Sequence, residues 1–162
     1  MIKKLISTAA FTLLSAASVS AAYGQLATKT EKYPYITGSV AFPVRVRPSI
    51  ASSVRHTFRI QIPQESSALS HLTIDVPKGL IVKNNISVSD QSDRKVDTNV
   101  SVNGKKVLVA FPSPVAPGTQ LKIDMNNVRI SGVSNGWLYR ISAKLVGFDA
   151  DIPIGVAQFR FY

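Results

Sequence analysis

Hydrophobic and polar residues alternate with period two through most of this chain. Phe58, Ile60 and Ile62 alternate with Thr57, Arg59 and Gln61. Leu72, Ile74 and Val76 alternate with Thr73 and Asp75, and Leu121, Ile123 and Met125 with Lys122, Asp124 and Asn126. Tyr139, Ile141, Ala143 and Leu145 are spaced by Arg140, Ser142 and Lys144, and Phe159 and Phe161 flank Arg160. Val107, Val109 and Phe111 are spaced by Leu108 and Ala110, a strand apolar on both sides. One buried face and one wet face is the signature of antiparallel sheet, and no helical period is sustained anywhere in this region.

Turn chemistry falls between the alternating runs. Asn103-Gly104 joins 98–102 to 105–111 and is the strongest short hairpin signal in the chain. In Pro114-Val115-Ala116-Pro117-Gly118-Thr119, Pro117 fixes its own φ and Gly118 is free to take a positive one, so this segment is expected to separate two strands. Pro63, Pro77-Lys78-Gly79, Asn84-Asn85 and the stretch from Gly132 to Gly136 punctuate the rest, and 64–71 would accommodate one helical turn. About eight short strands at regular spacing predict a single antiparallel β-sandwich, Ig-like, over 36–162, preceded by a loose lead over 23–35.

The first residues are of another kind. Met1-Ile2-Lys3-Lys4 is basic, Leu5 to Val19 is uncharged and rich in Ala, Leu and Ser, and Val19-Ser20-Ala21-Ala22 supplies small side chains for cleavage after Ala21 or Ala22. This is the layout of a secretory signal peptide over 1–22, expected to be helical. The apolar run is shorter than the roughly 20 residues that a spanning helix needs. No Cys stands at the cut and no twin Arg precedes it, so the expectation is export by the general secretory route, to the periplasm, the thylakoid lumen or the outside.

Export changes the meaning of the composition. The chain has no Cys, so its core alone must hold it in an oxidising compartment. Its formal net charge is +10, of which Lys3 and Lys4 leave with the signal peptide. Outside the cytoplasm, such an excess suits an anionic envelope component (polysaccharide or lipid head groups) or a partner protein rather than nucleic acid. The basic residues are scattered, which a merely solvated surface also explains.

Candidates for chemistry are few. His56 has the parity of Phe58 and Ile60 and is expected to point inward, whereas His71 has the opposite parity to Leu72 and is expected to point outward. Neither forms a ligand spacing with the other, and a metal site needs three or four converging ligands. Asp149-Ala150-Asp151 and the three Asp residues from Asp90 to Asp97 lack the layout of a Ca²⁺ loop and read as turn carboxylates. No Gly-x-Ser-x-Gly elbow is present, so a hydrolase would need His56 or His71 beside a Ser or a carboxylate brought from elsewhere. No catalytic, cofactor-binding or metal residue is assigned, and no cofactor is expected. The aromatic C-terminal part (Trp137, Tyr139, Phe148, Phe159, Phe161, Tyr162) reads as core, the alternative being a small outer-membrane β-barrel. Asn85-Ile86-Ser87 and Asn99-Val100-Ser101 are glycosylation sequons, read as chance in a chain whose signal looks bacterial.

Three blocks together carry a family resemblance. The first is Val54–Pro63 followed by Leu69-Ser70-His71-Leu72-Thr73-Ile74. The second is Val107–Phe111, then 112–119 with its Pro-Gly-Thr turn, then Leu121–Val128. The third is Trp137–Ala143 with the terminal Phe159-Arg160-Phe161-Tyr162. In order and spacing they resemble an uncharacterised, mainly cyanobacterial secreted family, domain of unknown function 2808, over roughly 40–162. The linker Gln64–Ala68 departs from the Ala-Gly type associated with that family. The resemblance implies export and a β domain. It implies no site residues, because the family's activity is not established. The function expected is therefore that of a non-enzymatic envelope binding or structural module.

Overall fold

The computed structural model describes residues 31–42, 53–132, 134 and 136–160. The signal segment 1–22 lies outside the described residues, as do most of the lead and the terminal Phe161 and Tyr162. The described residues form two five-stranded sheets in which every pairing is antiparallel. The first sheet runs β1 (Tyr35–Phe42), β2 (Ser53–Gln61), β8 (Gln120–Ile130), with β4 (Leu80–Ile81) and β5 (Ile86–Asp90) both on the far side of β8. The second runs β10 (Ile152–Arg160), β9 (Gly136–Leu145), β3 (Leu69–Asp75), β7 (Lys106–Val115), β6 (Asn99–Asn103).

The inward parity is the apolar one. Phe58, Ile60, Leu121, Ile123 and Met125 of the first sheet face Leu72, Ile74, Val107, Val109, Tyr139 and Ile141 of the second, all essentially without solvent exposure. This is an Ig-like β-sandwich, as the alternation predicts. The apolar interior and the two separate sheets are the reverse of a membrane barrel, whose apolar band faces outward around one closed sheet, so the barrel alternative is set aside. Along one side β1 lies against β10, where the Ser39 hydroxyl donates to the Gln158 carbonyl at 3.1 Å.

Several elements depart from expectation, each for a physical reason. The described residues form ten strands rather than about eight, because β1, β4 and β5 lie at sheet edges, are short or only half buried, and so show weak alternation. The hairpin turn is Gly104-Lys105, with Asn103 already paired to Lys106. Gly104 takes φ +58 at the first central position, where a two-residue turn favours Gly. Residues 64–71 contain no helix: a single turn, Ser66 N–H to Pro63 C=O at 3.1 Å, leads directly into β3.

The Pro-rich segment is also redistributed. β7 continues through Pro112 and Pro114 to Val115, and the turn itself is 116–119, with Gly118 at φ +81. A Cβ at Gly118 would fall 2.2 Å from the Gln64 side chain, a second reason for glycine there. The prolines are tolerated because β6 pairs β7 only as far as Ala110, and the β3 register jumps from Ala110 to Val115. Their missing N–H groups thus fall in a gap between ladders.

Candidate functional site

The two histidines occupy opposite environments. His56 is fully buried on β2, between Ala41 of β1 and Met125 of β8 in register. Its ring stacks on Phe159 at a centroid distance of 4.2 Å and meets Tyr139 edge-on at 5.6 Å. Its Nδ1 shares a 2.7 Å hydrogen bond with the Tyr139 hydroxyl, and its Nε2 has no partner among the described residues. Burial pushes the imidazole pKa from 6.5 down to about 4, and pushes the Tyr139 hydroxyl up, so both groups are neutral at ordinary pH. Phe58 packs edge-on against both Tyr139 and Phe159. Neither a Ser nor a carboxylate is bonded to His56, so the hydrolase reading loses its inward-facing candidate.

His71 projects from the outer face of the second sheet. A bulge in β3 between Leu69 and His71 turns both Leu69 and Leu72 inward and leaves His71 outside. Its Nε2 lies 3.3 Å from Asp151 Oδ1, and the Thr73 hydroxyl donates to the other Asp151 oxygen at 2.9 Å. Asp151 is thus a turn carboxylate held by two residues of β3. Asp149 in the same turn offers its backbone carbonyl to Lys144. Among the described residues, no group of three or more His, Cys, Asp or Glu converges as a metal would require.

Two recesses mark the surface. One, of about 450 Å³, opens between the sheets at the side away from β1 and β10; Ile86, Lys95, Asp97, Asn99, Val100 and Pro112 are in its wall. The other, of about 270 Å³, lies on the outer face of the first sheet, lined by Arg59, Asp90, Gln91, Asp93, Gln120 and Lys122. Here β2 and β8 bring Arg59 level with Lys122, and the turn after β5 forms the rim. Asp90 anchors that turn: its carboxylate accepts from Ser92 and Arg94 N–H at 2.8 and 3.1 Å and pairs with the Arg94 guanidinium at 2.8 Å. Partial desolvation raises the Asp90 pKa, but the hydrogen bonds from Ser92 and Arg94 outweigh it and leave the carboxyl below its usual value. Asp93, at φ +57, reaches Lys122 Nζ at 2.6 Å, and the Gln91 side-chain oxygen accepts from Gln120 N–H at 3.0 Å. Among the described residues, the Arg59 side chain makes no hydrogen bond or ion pair. In the sequence, Asp90 and Asp93 read as turn carboxylates and not as the rim of a recess. The polar parity of Arg59 and Lys122 was visible, but their adjacency depends on the β2–β8 register.

The model of the family described as "Protein of unknown function (DUF2808)" matches residues 45–155. The chain belongs to this family. No curated protein matches it in sequence. In fold it is similar to the N-terminal domain of a Streptococcus gordonii adhesin, with TM-score 0.58 and 10% identity, covering 83% of this chain and 33% of that one. It is similar also to a chain of the RrgA Jo.In complex, with TM-score 0.51 and 10% identity, covering 76% of this chain and 79% of that one. The major pilin subunit of Bacillus cereus gives TM-score 0.51 and 12% identity, covering 77% of this chain and 38% of that one. This chain therefore spans about a third of the adhesin domain and about two-fifths of the pilin. At such identities the likeness shows the fold alone.

Proposed function

We propose that this family member is a non-enzymatic module of the cell envelope, exported by the general secretory route after cleavage at Ala21 or Ala22, whose domain over 36–162 binds an anionic surface component. The observation that carries this reading is the division of the molecule between a neutral interior and a cationic exterior. The imidazole that strand parity aims inward is sealed among aromatic rings. The basic residues stand on the outer faces: Arg55, Arg59, Lys122 and Arg129 on the first sheet, and Lys106, Arg140, Lys144 and Arg160 on the second. A sandwich presenting positive charge on both outer faces attracts and concentrates anionic partners. The structural neighbours are consistent with this, being parts of an adhesin and of a pilin.

The test is retention of the purified chain on native envelope fractions at rising salt. Retention at low salt that fades near physiological ionic strength, where charges are screened beyond about 8 Å, supports the reading. Absent retention, or retention indifferent to salt, overturns it.

A further inference from the structure

The recess on the outer face of the first sheet carries a more specific reading, which rests on the envelope-binding proposal. We propose that it is a binding site for an acidic sugar, with the Arg59 guanidinium receiving the carboxylate of a uronic acid residue in an envelope polysaccharide.

The charged groups of the recess differ in what they already hold. Asp90 is committed to Arg94, and Asp93 to Lys122. Each carboxylate in the recess therefore has its own cation, and Arg59 is the cation left over. It is exposed, yet held by a central strand paired on both sides, with Gly38 in register on one side and Lys122 on the other. A guanidinium so placed offers a planar pair of N–H donors, the geometry that matches a carboxylate.

The rest of the lining is chosen differently from that of a simple anion patch. Gln91 uses its side-chain oxygen on Gln120 N–H, which leaves its amide N–H groups for an acceptor. The Gln120 amide lies beside it, and the Asp90 and Asp93 oxygens retain lone pairs. One unpaired cation among neutral amides and already neutralised carboxylates suits a ligand with one negative charge and several hydroxyls. A uronic acid has that composition. A planar anionic membrane is a poorer match, since a recess with one unpaired cation takes a single charge rather than a sheet of phosphates.

Gly38 supplies an independent handle. A Cβ built there meets nothing within 4 Å, so the strand leaves open space beside Arg59. Gly38→Glu would place a carboxylate of the protein's own on the same face, adjacent to Arg59, and satisfy the guanidinium internally.

The experiment is calorimetric titration of the purified chain with oligogalacturonate, beside a neutral dextran oligosaccharide and phosphatidylglycerol vesicles. Wild type, Arg59→Gln, Gly38→Glu and Arg140→Gln on the opposite sheet are compared, each checked for an unchanged unfolding midpoint. Loss of one charge-assisted contact predicts roughly fivefold to tenfold weaker binding of oligogalacturonate by Arg59→Gln and Gly38→Glu, less than about twofold change in Arg140→Gln, and no binding of dextran. Binding that survives Arg59→Gln but falls in Arg140→Gln overturns the site and leaves the envelope reading standing. So does a wild type that ignores oligogalacturonate while remaining salt-sensitively bound to envelope fractions. Arg59-dependent binding that favours the vesicles overturns the sugar in favour of a lipid head group. No retention on envelope fractions at all removes both proposals together.

Discussion

His56 and His71 have the same side chain, on strands of facing sheets, and almost nothing else in common. His56 is sealed between Tyr139 and Phe159, with one hydrogen bond and one idle nitrogen. His71 stands partly exposed against Asp151, which Thr73 also holds. The first is coupled to folding through desolvation, since charging it means placing a cation among aromatic rings. The second belongs to a solvated network, where pairing gains little because water competes for every partner. Strand parity alone separates the two cases, and the chemistry available to each imidazole follows from it.

The sharpest way to break this contrast is to empty the wall of the buried cluster. Tyr139→Ala should cost about 3–5 kcal/mol, the range for losing a buried aromatic side chain, read as a lower denaturant midpoint. A loss no larger than that of a surface substitution would mean the cluster is not close-packed.

Next in size is the acid response. The imidazole titrates at 6.5 in the unfolded chain and at about 4 in the folded one. Between those values the unfolded chain binds more protons, so stability rises with pH. The contribution is complete above 6.5 and is lost as pH falls toward 4, about 3 kcal/mol in all. Asp90, whose pKa lies below 3.8, acts only in more acid solution and leaves that window to the histidine. Unfolding free energies measured from pH 7 to pH 4 should show this slope in wild type and lose it in His56→Phe. An unchanged slope in that variant would trace the acid sensitivity elsewhere.

Tyr139→Phe keeps the packing and removes only the hydroxyl. It leaves both ring nitrogens of His56 without partners, which should cost about 1–3 kcal/mol at neutral pH. The smallest effect belongs to the outer face. His71→Ala and Asp151→Asn should each shift stability by less than about 1 kcal/mol, less still at high salt, as chemical denaturation can resolve. A larger loss from either would show that the exposed network braces the turn between β9 and β10, and would erase the contrast from which the series starts.

Much of the fold was legible before any coordinate. The alternating runs at 57–62, 72–76, 121–126 and 139–145 became strands with the expected inward faces, and His56 and His71 fell on the sides their parity assigns. β1, β4 and β5 were harder to read, because an edge strand with one half-buried face writes only a faint pattern. The prolines of β7 looked like a turn because nothing local reveals that both neighbouring strands release the ladder there. Of the proposed binding recess, the outward parity of Arg59 and Lys122 and the turn carboxylates Asp90 and Asp93 were visible, but not their meeting. The turn that carries Asp90, Gln91 and Asp93 was placed against them by the pairing of β5 with β8.

What the sequence determined by itself was therefore local: which residues of the alternating runs face in, that the leading segment has the form of an export signal, and that no disulfide assists the core. Those properties follow from periodicity and side-chain chemistry within a few residues. Tertiary structure alone decided which side chains meet. Thr57 bonds Asp124 across 67 residues within the first sheet, and His56 bonds Tyr139 across 83 from one sheet to the other. Strand order and register, with a bulge at Asn127 and another at Ser70, set those meetings. A bulge shifts every residue beyond it relative to its partners, and its position depends on the packing of the whole sandwich.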